Sequence, residues 1–307
     1  MSTDSLRAAP IITARGALLR MIIGAALIST TSIFVRWAHV APTVSAFYRM
    51  AFGGVMLAAF IAVQRQWRGV SWRDTAWVLF PAFAMAVDLI MWHRSILLIG
   101  PGLATLIGNF QVFLMALAGV VFYHEKLGWR FAGGVALSVY GLWLIVGQSW
   151  QGLSADYRYG IWLGLLTGIA YAAYMLSLRQ AQLRRAALTP QRALCLTSLA
   201  CAAMLGLAVA IEGESFAIPD MQSWSALLAL ALVGQVIGWV LIARAMPLLP
   251  ASTVGLLLLL QPGLSFVLDV LLFARPTAPR DWIGLALSLL GIFVAGQRSR
   301  AARADTD

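Results

Sequence analysis

The sequence predicts an all-α polytopic membrane protein, with ten transmembrane helices arranged as two inverted five-helix repeats. Of its 307 residues, 61% are hydrophobic and only 11% are charged, against roughly 45–50% apolar and about 25% charged in soluble domains. Ten apolar runs have lengths near the ~20 residues that a hydrocarbon core of ~30 Å demands of a helix. Shifting the chain by 150 residues also aligns 93–147 with 243–297 without a gap. The composition excludes a water-soluble enzyme and a disordered chain.

A tail of residues 1–16 precedes the first run, 17–37. This run lacks a convincing cleavage site and carries Arg36 at its end, so it reads as a retained span and not a signal peptide. Runs 43–63 and 75–97 follow, then 102–123 and 131–148, which complete a first repeat over 17–148. Residues 149–159 read as an external linker. The second repeat, 160–297, contains runs 160–180, 193–211, 223–246, 250–273 and 282–297, and a tail of 298–307 closes the chain. No soluble domain is inserted between the spans.

Orientation follows from the bias of Lys and Arg toward cytoplasmic segments. With the N-terminus inside, the inner segments hold Arg7, Arg15 and Arg20, then Arg65, Arg68 and Arg73, then Lys126 and Arg130. They continue with Arg179, Arg184, Arg185 and Arg192, then Arg244, and finally the arginines of the last tail. The outer side holds Arg36, Arg94, Arg158, Arg275 and Arg280, together with the acidic Glu212, Glu214 and Asp220. Both termini are therefore expected in the cytoplasm.

The net charge of +10 does not indicate a nucleic-acid partner, because 21 of the 22 basic residues are arginines in short clusters between apolar runs. The expected surroundings are a lipid bilayer. Cys195 and Cys201 lie six apart on one helix, too far for a bridge within it, and read as apolar fillers.

The repeat pairs Arg94 with Arg244, Leu106 with Leu256, Gln111 with Gln261, and Leu114 with Leu264. It goes on to pair Arg130 with Arg280, Gly134 with Gly284, Ser138 with Ser288, and Gly141 with Gly291. Pro42 and Pro190 open the second and seventh runs at a similar offset. Five spans per copy is an odd number, so the second copy must enter the membrane upside down. Inverted repeats of this kind are a feature of transporters, whose two copies exchange conformations about a central site.

Taken together, Pro42 and Arg49 in the second run, Gly102-Leu103-Ala104 at the start of the fourth, and the Glu125-Lys126-Leu127 loop before a Gly-rich fifth run form an ordered set with Gln261-Pro262 in the ninth. In this order and spacing the chain resembles the EamA branch of the drug/metabolite transporter superfamily over nearly its whole length. The resemblance implies two inverted five-helix repeats around a central cavity. It also implies export of small metabolites, amino acids among them, across the bacterial inner membrane. Two departures stand out: Val112 where the first half often has proline, and Arg275-Pro276 in place of an acidic loop residue.

Ionisable side chains in hydrocarbon are costly and mark candidate sites. Asp88, near the middle of the third run, is either a proton-coupling or amine-binding carboxylate, or a structural partner of Arg49. His93, beside Trp92, either gates or binds a carboxylate, or packs at the helix end; its spacing from Asp88 does not favour a direct dyad. Gln111 and Gln261, with Asn109 nearby, are either cavity amides or interhelical hydrogen bonds. Tyr171, Tyr174, Gln235 and Trp239 are further candidates for a lining, with ordinary packing as the alternative. Arg49 has three readings: a substrate-carboxylate partner, a salt bridge or a snorkelling side chain. Asp269 is a counter-ion of the right class for it. Pro262 removes a backbone donor beside Gln261.

No phosphate-cradling Gly-Lys-Ser/Thr loop, His-Glu-x-x-His or Asp-x-x-Asp motif occurs, and no cofactor or metal is expected. The expected function is secondary export of amino acids or similar small metabolites by alternating access, the alternatives being export of cationic drugs or other organic compounds and a non-transporting membrane sensor on the same fold. The expected site draws on the third, fourth, sixth, eighth and ninth spans, with protons as candidate coupling ions.

Overall fold

The structure, a computed structural model, describes residues 14–65, 67, 71–123, 128–147, 150–245, 248–249 and 251–296. The Glu125-Lys126-Leu127 loop and nearly all of both tails lie outside these residues. Ten helical spans are long and apolar enough to cross a membrane: α1 Arg15–Trp37, α2 Pro42–Val63, α3 Trp72–Ile99, α4 Pro101–Ala118 and α5 Trp129–Gly147, then α6 Ala155–Arg184, α7 Pro190–Glu212, α8 Met221–Ile242, α9 Thr253–Phe273 and α10 Pro279–Gly296. Each coincides with one of the predicted apolar runs.

Local chemistry sets the helix starts. Pro42 and Pro190 sit in the first turns of α2 and α7, where the missing N–H would have had no helical partner anyway. Ser71 and Asp74 form a capping box at α3: the Ser71 amide donates to Asp74 Oδ2 at 2.7 Å and the Asp74 amide to Ser71 Oγ at 3.4 Å. Part of the expected linker is helical, because Ser154 accepts the Tyr157 amide at 3.2 Å and starts α6 at Ala155. Gly213, at φ 69°, ends α7 in the left-handed conformation.

Two spans are broken at equivalent places. In α4, helix Pro101–Gly108 gives way to Gln111–Tyr123, and around α9, helix Ala251–Leu258 gives way to Leu260–Phe273. In the second half Pro262 has no N–H to donate to the Leu258 carbonyl. In the first half Val112 keeps its N–H but donates it to Asn109 O at 3.2 Å, and Phe113 donates to Phe110 O at 3.0 Å. These three-residue steps interrupt the ladder without a proline. The departure at Val112 therefore leaves the break in place, and Gln111 and Gln261 both stand beside one.

The two repeats interlock. α3 packs chiefly on α6 and α7 of the other repeat, while α8 packs on α1 and α2 in the matching way. α4 meets α9, α2 meets α7 and α5 meets α10, each contact joining a helix to its own repeat mate. Short connections would suggest that sequence neighbours pair first; here the dominant contacts cross between the halves. Phe80, Phe83, Leu166, Ile169, Leu207 and Ile211 lie exposed on the outer surface, as a lipid-facing belt requires.

At the end of the bundle where α7 leads into α8, Asp220 caps α8 by accepting the Ser223 amide at 2.7 Å, and its other oxygen meets His39 Nδ1 at 2.9 Å. The Ser223 amide first, and the His39 imidazole second, hold the Asp220 carboxyl below the usual carboxylate range. A carboxylate held low stabilises the fold above its unfolded pKa, and that contribution disappears as pH falls through the folded one. Protection of the Ser223 amide against hydrogen exchange should thus fall on acidification through and below that range. Asp220→Asn, which still caps, should remove the dependence; protection that stays constant in the native protein would contradict this account.

Candidate functional site

The buried ionisable groups converge between α2, α3, α6 and α7. Arg49 is 6% exposed and Asp88 is 4% exposed, yet no ion pair within 4.0 Å joins them. Trp92, Tyr174 and Cys201 belong to one buried cluster on this side of α3, with Tyr171 packed against it. Arg49 Nε and Asp88 Oδ1 are buried with no hydrogen-bond partner. The Arg49 guanidinium lies 5.4 Å from the centre of the Trp92 ring, a cation–π contact. Asp88 and Trp92, four residues apart, share one face of α3.

His93 is fully buried on the same helix, with Nδ1 2.6 Å from Ser45 Oγ of α2 and Nε2 without a partner. It does not join Asp88 in a dyad. The Tyr171 and Tyr174 rings stand edge to face at 5.6 Å, Tyr174 buried and Tyr171 half-buried. Thr167 on α6 donates to the Asp88 backbone carbonyl at 3.2 Å and ties α6 to α3. The first repeat thus contributes the charges and the second the phenols.

The remaining predicted residues lie elsewhere. Asn109 Nδ2 donates back to Thr105 O at 2.8 Å within its own span. Gln111 and Gln261 are half-buried, and their side chains make no hydrogen bond among the described residues. Gln235 is fully buried between α2 and α7, its Nε2 donating to Ser198 Oγ at 3.2 Å and its Oε1 unpartnered. Its side chain fits the space where Gly53 has no Cβ. Trp239 packs with Met21, Ile28 and Ile242, and Pro262 is buried at the α9 break.

Asp269 does not serve Arg49. Its Oδ2 accepts from Arg275 Nη1 at 3.2 Å and from the Gly102 amide at 3.1 Å. Arg275 also donates to Ile99 O at 2.7 Å and to Tyr157 Oη at 3.0 Å. The departure at Arg275 therefore has a structural use: it joins α3, α4, α6 and α9 at one end of the bundle.

Sequence reasoning missed Ser45 and Thr167, which are ordinary small helix residues until α2 and α6 are placed against α3. Cys201, read as an apolar filler, borders the charged cluster. Its type carried no signal.

Interlocked inverted five-helix repeats around a buried polar centre define a membrane transport protein of the drug/metabolite type. The chain belongs to the EamA-like transporter family, whose profile matches residues 15–147 and 158–297. One solved crystal structure is similar with a TM-score of 0.62 at 20% identity, covering 91% of this chain and 96% of that chain. At that identity the likeness bears on the fold alone. No match was found among curated proteins.

Proposed function

We propose that this protein is a secondary exporter of amino acids or similar small amphipathic metabolites, working by alternating access in the bacterial inner membrane with both termini cytoplasmic. The observation that carries this reading is the cluster of buried Arg49, Asp88 and Tyr174, with half-buried Tyr171 against them, where the two repeats interlock. Buried charges without partners are costly in a static scaffold and useful where a ligand supplies the partner. Because α3 lies across α6 and α7, any exchange of conformation between the repeats alters access to the cluster. The breaks at Asn109–Phe110 and Leu259 supply bending points for that exchange. The drive is the substrate's own gradient or protons. Export of cationic compounds is the runner-up, supported by Asp88 but opposed by the equally buried Arg49 beside it.

Liposomes containing the purified protein should take up a defined subset of a mixed amino-acid and metabolite pool in a saturable way, read by mass spectrometry with and without a pH gradient. Uptake no greater than that of empty liposomes, with folded protein, would favour a non-transporting role. Cysteines placed at Gln111 and Gln261 should change their labelling from the two sides when substrate is present. Labelling that ignores substrate would remove the α4 and α9 breaks from the transport path.

A further inference from the structure

We propose that Arg94, Glu212 and Thr43, with His93 and Ser45 beside them, form a latch that closes the buried cluster at the end of the bundle where α7 leads into α8, and that opening of this end begins with its release. The assignment rests on the transporter reading and gives the exchange of conformation a gate. Arg94 Nη2 donates to Glu212 Oε1 at 2.7 Å, and Thr43 Oγ1 donates to Glu212 Oε2 at 2.8 Å. One carboxylate at the end of α7 thus holds both α3 and α2. Beside it, His93 Nδ1 meets Ser45 Oγ at 2.6 Å and ties α3 to α2 directly. Trp92, His93 and Arg94 are consecutive, so a single turn of α3 carries the contact with Arg49, the contact with Ser45 and the ion pair. Movement of that turn reaches the cluster and the latch together.

The helices around the cluster are stitched in two pairs, and the latch crosses between them. α3 is tied to α6 along its whole length: Arg185, which ends α6, donates from Nε to Asp74 Oδ1 at 2.6 Å, Thr167 donates to Asp88 O, and Ser95 Oγ donates to Gly160 O at 2.8 Å. α2 is tied to α7, where Cys195 Sγ donates to Gly54 O at 3.5 Å and a Cβ on Gly54 would lie 2.8 Å from Leu199 Cδ2. Arg49 and Cys201 come from the second pair; Asp88, Trp92 and Tyr174 come from the first. The Arg94 and Glu212 side chains are 36% and 30% exposed, against 14% and 2% for Arg275 and Asp269. A half-exposed pair is weak enough to open and close, whereas a buried one is a fixture. The repeat does not carry the latch to the opposite end. With Pro42 matched to Pro190, Ser45 corresponds to Ala193 and Gln64 to Glu212; with Arg94 matched to Arg244, His93 corresponds to Ala243. There α3, α6 and α7 meet through the apolar Val78, Ala181 and Ala193. The two ends therefore close by different chemistry, and only one of them is held by a bond between charges that crosses the pairs.

The two native cysteines supply the test. Both are fully buried, but Cys201 belongs to the cluster between the pairs, whereas Cys195 packs with Leu57 and Ile61 inside the α2–α7 pair. With one or the other replaced by alanine in the full-length protein in detergent, the rate of modification by a small methanethiosulfonate reports each place. Glu212→Gln or Arg94→Gln should raise the rate at Cys201 about two- to fivefold, the factor that corresponds to losing a partly exposed ion pair, and leave Cys195 unchanged. Exchanging the charges, Arg94→Glu with Glu212→Arg, should return Cys201 toward the native rate. Glu214→Gln, at an exposed acid two residues beyond the latch, should alter neither cysteine. Equal rises at Cys195 and Cys201 would signify general loosening and overturn the proposal, as would an unchanged rate at Cys201. In liposomes, with both native cysteines replaced, Arg94→Cys and Glu212→Cys joined by a bifunctional methanethiosulfonate should stop uptake of the metabolite pool until a reductant is added. Cross-linked protein that transports at the rate of the unlinked variant would defeat the latch and leave the transporter reading intact. Absence of uptake by the native protein, with the labelling rates as expected, would do the reverse.

Discussion

Replacing Asp269 with alanine is expected to destabilise the protein by about 3–5 kcal/mol, the range for removing one partner of a buried ion pair. Asp269 is 1% exposed and joins the Arg275 side chain to the backbone amide that begins α4. Without it the guanidinium keeps Ile99 O and Tyr157 Oη as acceptors but loses its counter-charge, and the Gly102 amide loses its acceptor. Gly100, at φ 89°, makes the same point from the other side: a Cβ there would lie 2.6 Å from Asp269 Oδ2. Gly100→Ala should therefore also destabilise, through both backbone strain and displacement of the carboxylate. Thermal unfolding in detergent would measure both variants. The double variant Asp269→Leu with Arg275→Met should recover much of the loss, because removing both charges leaves neither unpaired. Asp269→Ala unfolding at the native temperature would refute a structural role for this node.

That node also illustrates what the sequence could not reveal. Asp269 and Arg275 are six apart, a spacing that does not bring side chains together on one helix. They meet because α9 ends at Phe273 and Ala274 adopts a left-handed conformation at φ 50°, which turns the chain back. No Gly or Asn marks that reversal, so the pair could not be anticipated. The ten spans were legible because hydropathy acts locally, and the inversion followed from the odd number of spans in each copy. Gln111 and Gln261 were legible as a symmetric pair, but the helix break beside each was not, the donor missing at Pro262 being its one sign in the sequence. The candidate site was legible in its residue types, since Asp88, His93 and Arg49 are ionisable groups inside apolar runs. Its assembly was not, because α2 and α7 enter the cluster through contacts between repeats that no loop length encodes. Gln235, Trp239 and Asn109 look equally polar or amphipathic in sequence, yet the fold uses them for contacts outside the charged cluster.

The second large effect is expected at the seam between α5 and α10, where the two repeats meet across their pseudo-twofold axis. Gly134, Ser138 and Gly141 face Gly291, Ser288 and Gly284, so that each copy presents the same three positions to the other. Ser288 Oγ donates to the Ser138 carbonyl at 3.1 Å across the seam. A Cβ on Gly141 would lie 2.5 Å from Gly284 O and 2.6 Å from Ser288 N, closer than the 3.0 Å that real Cβ contacts respect. The obstacles are backbone atoms, which cannot rotate away as a side-chain tip would. Gly141→Ala should therefore force the helices apart and cost at least the upper part of the about 1–3 kcal/mol typical of overpacking. Gly133 provides the control, because a Cβ there meets nothing within 4 Å. Gly133→Ala should be neutral or stabilising by up to about 1 kcal/mol, the ordinary helical preference for alanine over glycine. Opposite signs at two glycines of the same helix, read by thermal unfolding in detergent, would identify packing across the seam as the cause. Equal shifts at both would assign the effect to helix propensity and remove the close approach from the account. Gly141→Ala combined with Gly284→Ala should cost less than the sum of the two, since both relieve themselves by the same separation.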